Sequence, residues 1–165
     1  MGQCRPRAYR EGRTEVSTPS RVLVSWQGEH TFDAGREGRE TIRLDGDGIV
    51  GPTPPDALLI ALASCVSVDV VDILAKRRTP LEKYSVEVLG ERVDSIPRRF
   101  RHITLNISMT GPGIERPQAE RAIELSVEKY CSVRDSLAPD ITIVWNLVLN
   151  GEEKDANSAL PIEGQ

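Results

Sequence analysis

The stretch that decides the fold is Gly51-Pro52-Thr53-Pro54-Pro55-Asp56, followed without a break by Ala57-Leu58-Leu59-Ile60-Ala61-Leu62-Ala63-Ser64-Cys65-Val66. Thr53 is placed to N-cap a helix, Pro54 suits the first helical position, and Asp56 sits where a capping carboxylate reaches back to the cap. The helix is expected to run to about Lys76, where Lys76-Arg77-Arg78 complements its C-terminus and Thr79-Pro80 stops it. Leu58, Leu59, Ile60, Leu62, Val66, Val68, Val70, Val71, Ile73 and Leu74 leave almost no polar face, which in a soluble chain requires cover by other elements or by a second subunit. The apolar stretch ahead of Asp69 is shorter than the roughly 20 residues a bilayer requires, and Asp69 and Asp72 would be costly in hydrocarbon. A buried central helix is the expected outcome.

Working outward, Arg21 to Trp26 is β-branched and partly alternating, and Gln27-Gly28-Glu29-His30 is turn chemistry before His30-Thr31-Phe32, which predicts a hairpin. Gly35-Arg36-Glu37-Gly38 turns the chain into Glu40-Thr41-Ile42-Arg43-Leu44, the third strand of a meander that stops at Asp45-Gly46-Asp47-Gly48. Beyond the helix, Tyr84 to Glu91 and Phe100 to Thr110 alternate apolar with polar residues and read as two long paired strands. Pro117 opens a second helix that gathers Ala119, Ala122, Ile123, Leu125, Ser126 and Val127 on one side and reaches Tyr130-Cys131, with a short helical turn through Leu137. Ile141 to Leu149 is a densely β-branched last strand. Residues 1–19 and 151–165 read as polar tails around one domain spanning 20–150. The order βββ-α-ββ-α-β predicts an α+β fold.

The chain has 165 residues, enough for one core, and only seven aromatic residues, so aliphatic side chains must fill it. A formal net charge of −4 with both signs interspersed gives no pull toward a phosphate backbone or an anionic membrane. Met1-Gly2-Gln3-Cys4-Arg5-Pro6-Arg7 has no apolar run behind it, so it does not read as a secretory signal and a cytoplasmic, reducing setting is expected. Three cysteines in such a setting do not form a constitutive disulfide framework. Cys65 inside the apolar helix and Cys131 at the end of the amphipathic one suggest a two-thiol redox centre, while Cys4 in the tail reads as incidental. His30 and His102 have no partner at metal-site spacing, and no glycine-rich nucleotide fingerprint is present, so neither metal nor bound cofactor is expected.

Gly51-Pro52-Thr53-Pro54, Leu58-Leu59, Ala61-Leu62-Ala63-Ser64-Cys65, Asp69-Val70-Val71-Asp72-Ile73-Leu74 and Glu128-Lys129-Tyr130-Cys131-Ser132-Val133, in this order, closely resemble the OsmC-like family, which includes the organic hydroperoxide resistance proteins. The resemblance implies an intertwined homodimer with the first helix at its centre. It also implies that Cys65 is the peroxidatic thiol, that Cys131 resolves it, and that the arginine of a Gly-Arg-acidic-Gly-Arg turn assists; here that turn is Gly35-Arg36-Glu37-Gly38-Arg39 and the match is Arg36. Family members that reduce hydroperoxides commonly carry a glutamate where this chain has Pro55, and Asp56 is the nearest carboxylate: it either orients Arg36 or does no more than cap the helix. The short segment between Leu44 and Gly51 points to a general OsmC-like member.

The chemistry follows from the residues. A thiol attacks a peroxide oxygen only as thiolate, and its ordinary pKa is about 8.5. Cys65 lies about three turns into its helix, beyond the dipole's first-turn reach, so a cation from elsewhere is expected; Arg36 suits the task, with Arg39 as the other candidate. Attack gives a sulfenic acid that Cys131 condenses to a disulfide, and an external dithiol or lipoylated-protein reductant resets the pair. Leu58, Leu62 and Val66 are the expected lining of an apolar pocket favouring organic hydroperoxides. Asp69, one turn after Cys65, would raise the thiol pKa and reads as structural. The rival reading is a non-catalytic small-molecule-binding protein with buried structural cysteines.

Overall fold

The computed structural model describes residues 18–154, so Cys4 and the outer parts of both expected tails lie outside the described residues. Three strands, β1 (Leu23–Gly28), β2 (Thr31–Gly35) and β3 (Ile42–Asp45), form an antiparallel meander as the turn chemistry requires. Helix α1 (Pro54–Lys76) follows, then the long strands β4 (Lys83–Arg92) and β5 (Phe100–Thr110), helix α2 (Arg116–Leu125), a π-turn (Ser126–Tyr130), the short helix α3 (Ser132–Asp135) and strands β6 (Thr142–Leu149) and β7 (Glu152–Lys154). The result is the expected α+β fold, with a second sheet in the order β4-β5-β6-β7.

Two expectations need correction. Residues 152–154 are not tail: they pair antiparallel with β6, Leu149 opposite Glu152, because a tight turn at Asn150-Gly151 lets the chain take up the free edge of β6. The second helix is not continuous to Cys131 either. Its α-helical hydrogen bonding ends at Leu125 and a wider π-turn completes it.

Entry to α1 is built locally. Asp56 N–H donates to Thr53 Oγ1 at 3.3 Å and Thr53 N–H donates to Asp56 Oδ2 at 3.0 Å, the two halves of a capping box. Ahead of it, Asp45 is 3% exposed and its carboxylate accepts from the N–H groups of Asp47, Ile49 and Val50 at 2.8–2.9 Å. These bonds hold the carboxyl below the usual range, the Val50 contact most strongly. The loop then returns tightly enough that a Cβ on Gly51 would lie 2.5 Å from the Arg43 carbonyl oxygen, which only glycine accommodates.

The core lies between α1, α2 and one face of the second sheet. Leu62, Val66, Val70 and Leu74, spaced four residues apart, are all 0% exposed. They face Ile103, Leu105, Ile107 and Met109, the alternate residues of β5, together with Ala119, Ala122 and Ile123 of α2. By length and hydropathy α1 also passes as a membrane span, but this stripe is committed to the core and the helix carries Asp56, Asp69 and Asp72. β5 and β6 are parallel, Leu105 opposite Trp145, so a crossover must join them; α2, the π-turn and α3 are that crossover, and they cross beside α1. Gly90 admits the ring of Phe100: a Cβ there would sit 2.5 Å from Phe100 Cε1.

Other apolar side chains of α1 are left uncovered by the described residues. Ile60, Val68 and Val71 are 50, 64 and 44% exposed, and on the meander Val22, Leu23, Val24, Trp26 and Ile42 are each more than half exposed.

Two outcomes test this account. Leu62→Ala and Leu74→Ala each remove a fully buried side chain and are expected to cost about 3 kcal/mol in urea unfolding. Asp45 has a depressed native pKa, so its contribution is full above the unfolded carboxylate value of about 3.9 and disappears as pH falls through the native value. Asp45→Asn should therefore unfold at lower temperature at neutral pH, and the gap from the natural protein should close on acidification.

Candidate active site

Cys65 sits half-buried on α1, on the flank that faces the crossover; Cys131 closes the π-turn and is 3% exposed. Both are free thiols, and they lie close enough to shift one another's pKa. The pair that is 66 positions apart in sequence is thus brought together, because α1 packs on the π-turn and α3.

The backbone around Cys131 is tightly specified. Its N–H donates to Ser126 O at 2.9 Å, its carbonyl accepts from Asp135 N–H at 3.1 Å, and its Sγ accepts from Arg134 N–H at 3.3 Å, making the thiol the N-cap of α3.

The two thiols are unequal. Burial pushes the Cys65 thiol up, but hydrogen bonds from the Cys131 thiol, the Val133 N–H and the Ser132 hydroxyl outweigh it and hold it below the ordinary thiol value, against an opposing push from Asp69. At Cys131 burial also raises the thiol, the hydrogen bond to Cys65 and the charge there add to the rise, the Arg134 and Val133 N–H groups only partly offset it, and the thiol is pushed up to about 11. Of the two, Cys65 is the more acidic thiol and Cys131 the one that holds its proton more tightly. Asp69 acts as expected from its place one turn on.

The other expected site residues are distributed as follows. Arg36 lies on the exposed turn after β2, where its carbonyl accepts from Arg39 N–H at 3.1 Å. Among the described residues the groups that act most on Cys65 are Cys131, Val133, Ser132 and Asp69, and Arg36 is not one of them. Asp56 is engaged in the capping box; its carboxyl is held low first by the Thr53 hydroxyl, and the cation that contributes is Arg92, a residue the sequence reading did not single out. Leu58 is partly buried, whereas Leu62 and Val66 are wholly inside the core and line no open pocket in the single chain. A groove of about 510 Å³ does flank α1, lined by Leu59, Ile60, Ala63, Ser67, Tyr84 and Val86. Ala63 and Ser67 stand about 160° around the helix from Cys65, so this groove is on the opposite flank from the thiols. His30 pairs with Asp47 at 3.0 Å, and no cluster of three metal-ligating side chains occurs among the described residues.

Ser132 and Val133 were not candidates from sequence, although they directly follow Cys131; the signal was their adjacency to a helix-ending cysteine, a place where the chain must turn and expose its amide and hydroxyl donors.

The comparisons bear on family and fold. The sequence model of the family described as OsmC-like protein matches residues 45–146. The chain is 36% identical over 121 residues to Protein YhfA of Escherichia coli K12, covering 73% of this chain and 90% of that protein. A hypothetical protein from Aquifex aeolicus VF5 is similar in structure, with a TM-score of 0.69 at 28% identity over 80% of this chain and 98% of that one. An OsmC-like protein from Mycoplasma pneumoniae shares the fold, with a TM-score of 0.70 at 18% identity over 81% of this chain and 99% of the other. With the fold, the paired thiols and these likenesses together, the chain belongs to the OsmC-like family.

Proposed function

We propose that this protein is a thiol-dependent peroxidase that reduces organic hydroperoxides in cytoplasmic stress defence. The observation that carries the reading is the asymmetric pair: a half-buried thiol held below its ordinary pKa in contact with a buried thiol raised to about 11. Cys65 thiolate attacks the terminal oxygen of ROOH; the S–O bond forms, the O–O bond breaks, and the alkoxide leaves as ROH after taking a proton. Cys131 then gives up its proton and attacks the Cys65 sulfur; the disulfide forms and the sulfenic oxygen leaves as water. Two thiols have supplied the two electrons the peroxide accepted. An external dithiol, free or on a lipoylated protein, returns them.

The reading calls for a cation beside Cys65, and an intertwined homodimer would supply a place for it. The meander that carries Arg36 has five large apolar side chains more than half exposed, and α1 has three more at least 44% exposed. Burying these against a second copy is favourable at about 25 cal/mol per Å² of apolar surface and brings the Arg36 turn of one subunit toward the other. Leu58, seven residues before Cys65 and on its flank, is the member of the expected pocket set placed to meet a substrate alkyl group; Leu62 and Val66 serve the core instead. With Asp56 tied to Thr53, an orienting contact to Arg36 would compete with the capping box.

A second reading, a small-molecule-binding protein, is favoured by the groove between α1 and β4, which is independent of the thiols. Thiol chemistry separates the two. Addition of cumene hydroperoxide to the reduced protein should consume two thiols and yield a Cys65–Cys131 crosslinked peptide by mass spectrometry; survival of both thiols in excess peroxide sinks the peroxidase reading. Arg36→Ala should slow this oxidation by on the order of tenfold or more with the melting temperature little changed, whereas an unchanged rate removes Arg36 from the mechanism. Because Cys65 is depressed, its alkylation by iodoacetamide should reach its plateau at lower pH than an ordinary thiol, and Cys131→Ala should move that plateau up.

A further inference from the structure

Ser126 is 0% exposed, in a helix that otherwise presents Ala119, Ala122, Ile123 and Val127 to the core. An alanine would fill the position without a polar group to desolvate, so the hydroxyl has to be accounted for. Its Oγ donates to Ala122 O at 2.7 Å, a carbonyl that also receives the N–H of Ser126 itself. A serine bonded to the carbonyl four residues back loosens and bends the helix at that turn.

The hydrogen-bond period changes at this residue. In a continuous α-helix Ser126 O would accept from Tyr130 N–H; it accepts from Cys131 N–H instead, at 2.9 Å, and the turn holds one residue more. Each residue beyond a π-turn is displaced by about 100° around the axis from its α-helical position. Cys131 is the first such residue. It leaves the helix at φ −69°, ψ 99°, which allows its sulfur to accept from Arg134 N–H and its carbonyl to accept from Asp135 N–H.

We propose that Ser126 is the positioning residue for the second thiol: its hydroxyl stabilises the π-turn, and the π-turn aims Cys131 at Cys65. The function assigned to this geometry, fast resolution of an oxidised Cys65, rests on the peroxidase reading; the geometric claim does not. A gain of one residue in a helix is otherwise destabilising and is found most often where a side chain has to be re-aimed at a functional site.

The test uses diamide, which oxidises neighbouring dithiols without any peroxide, on the full chain with Cys65–Cys131 disulfide formation followed by acid quench and mass spectrometry. Ser126→Ala should form the disulfide on the order of tenfold more slowly than the natural protein, because a misplaced reacting group loses rate steeply with distance. Ser126→Thr and Ser126→Val share one shape and differ in the hydroxyl, so Thr should crosslink clearly faster than Val even where the added methyl strains both. The pH plateau of Cys65 alkylation by iodoacetamide should move up in Ser126→Ala, no further than in Cys131→Ala, because the donors that follow the π-turn are displaced with it, and under cumene hydroperoxide that variant should accumulate Cys65 sulfinic acid. Crosslinking of Ser126→Ala at the natural rate, or equal rates for Thr and Val, would each overturn the proposal. A natural protein inert to hydroperoxide yet crosslinked by diamide in a hydroxyl-dependent way overturns the peroxidase reading alone.

Discussion

Everything in this molecule depends on one packing constraint, the burial of the Leu62, Val66, Val70 and Leu74 stripe of α1 against the sheet and α2. A stripe of four aliphatic residues one turn apart fixes the rotation of the helix about its axis. Once the stripe faces the core, Cys65 and Leu58 must face the crossover, Ala63 and Ser67 must face β4, and Ile60, Val68 and Val71 are left outward. The rotation of α1 therefore decides which flank carries thiol chemistry, which flank holds the groove and which is free for a partner.

The second constraint is the parallel pairing of β5 with β6. It obliges the chain to cross over the same face that α1 occupies, and the crossover carries Cys131, Ser132 and Val133 past Cys65. Nearness alone would leave two similar thiols. The difference comes from depth and donors: Cys131 is 3% exposed and lifted to about 11, while Cys65 collects a thiol, an amide and a hydroxyl as donors. In the proposed cycle this is the order of events required, with the ionised sulfur attacking first and the protonated one following.

The position of charge is the point at which this chain differs from the pattern that its residues resemble. Pro55 stands where a glutamate is usual, Asp56 is taken up by Thr53, and Arg92 is the cation that acts on Asp56. Hydrogen-bond donors from the crossover do part of the work that a cation alone would otherwise have to do at Cys65. A sulfur anion held by neutral donors depends on their placement, since such bonds weaken steeply with distance and angle, and this gives the π-turn its importance.

Local physics made much of the molecule legible from sequence. The capping box at Thr53 and Asp56, the meander, the alternation of β5 and the length of α1 each arise from interactions among residues within a few positions of one another, and period and turn chemistry record these directly. The two cysteines were visible for the same reason, as unusual residues in recognisable segments. Long-range and near-balanced choices were not. Whether Ser126 O takes the N–H of Tyr130 or of Cys131 exchanges one hydrogen bond for another, a choice that helical period does not record and that depends on packing against α1 as well as on the residue itself. Glu152 to Lys154 carry no strand pattern of their own and became a strand because β6 offered an edge. Leu62 and Val66 looked equally suited to a pocket or a core until the rotation of α1 placed them at zero exposure. The sequence by itself determined the segments and the reactive atoms; the tertiary structure decided their pairing, their pKa order and their facing, because those depend on surfaces that exist only once α1 is buried.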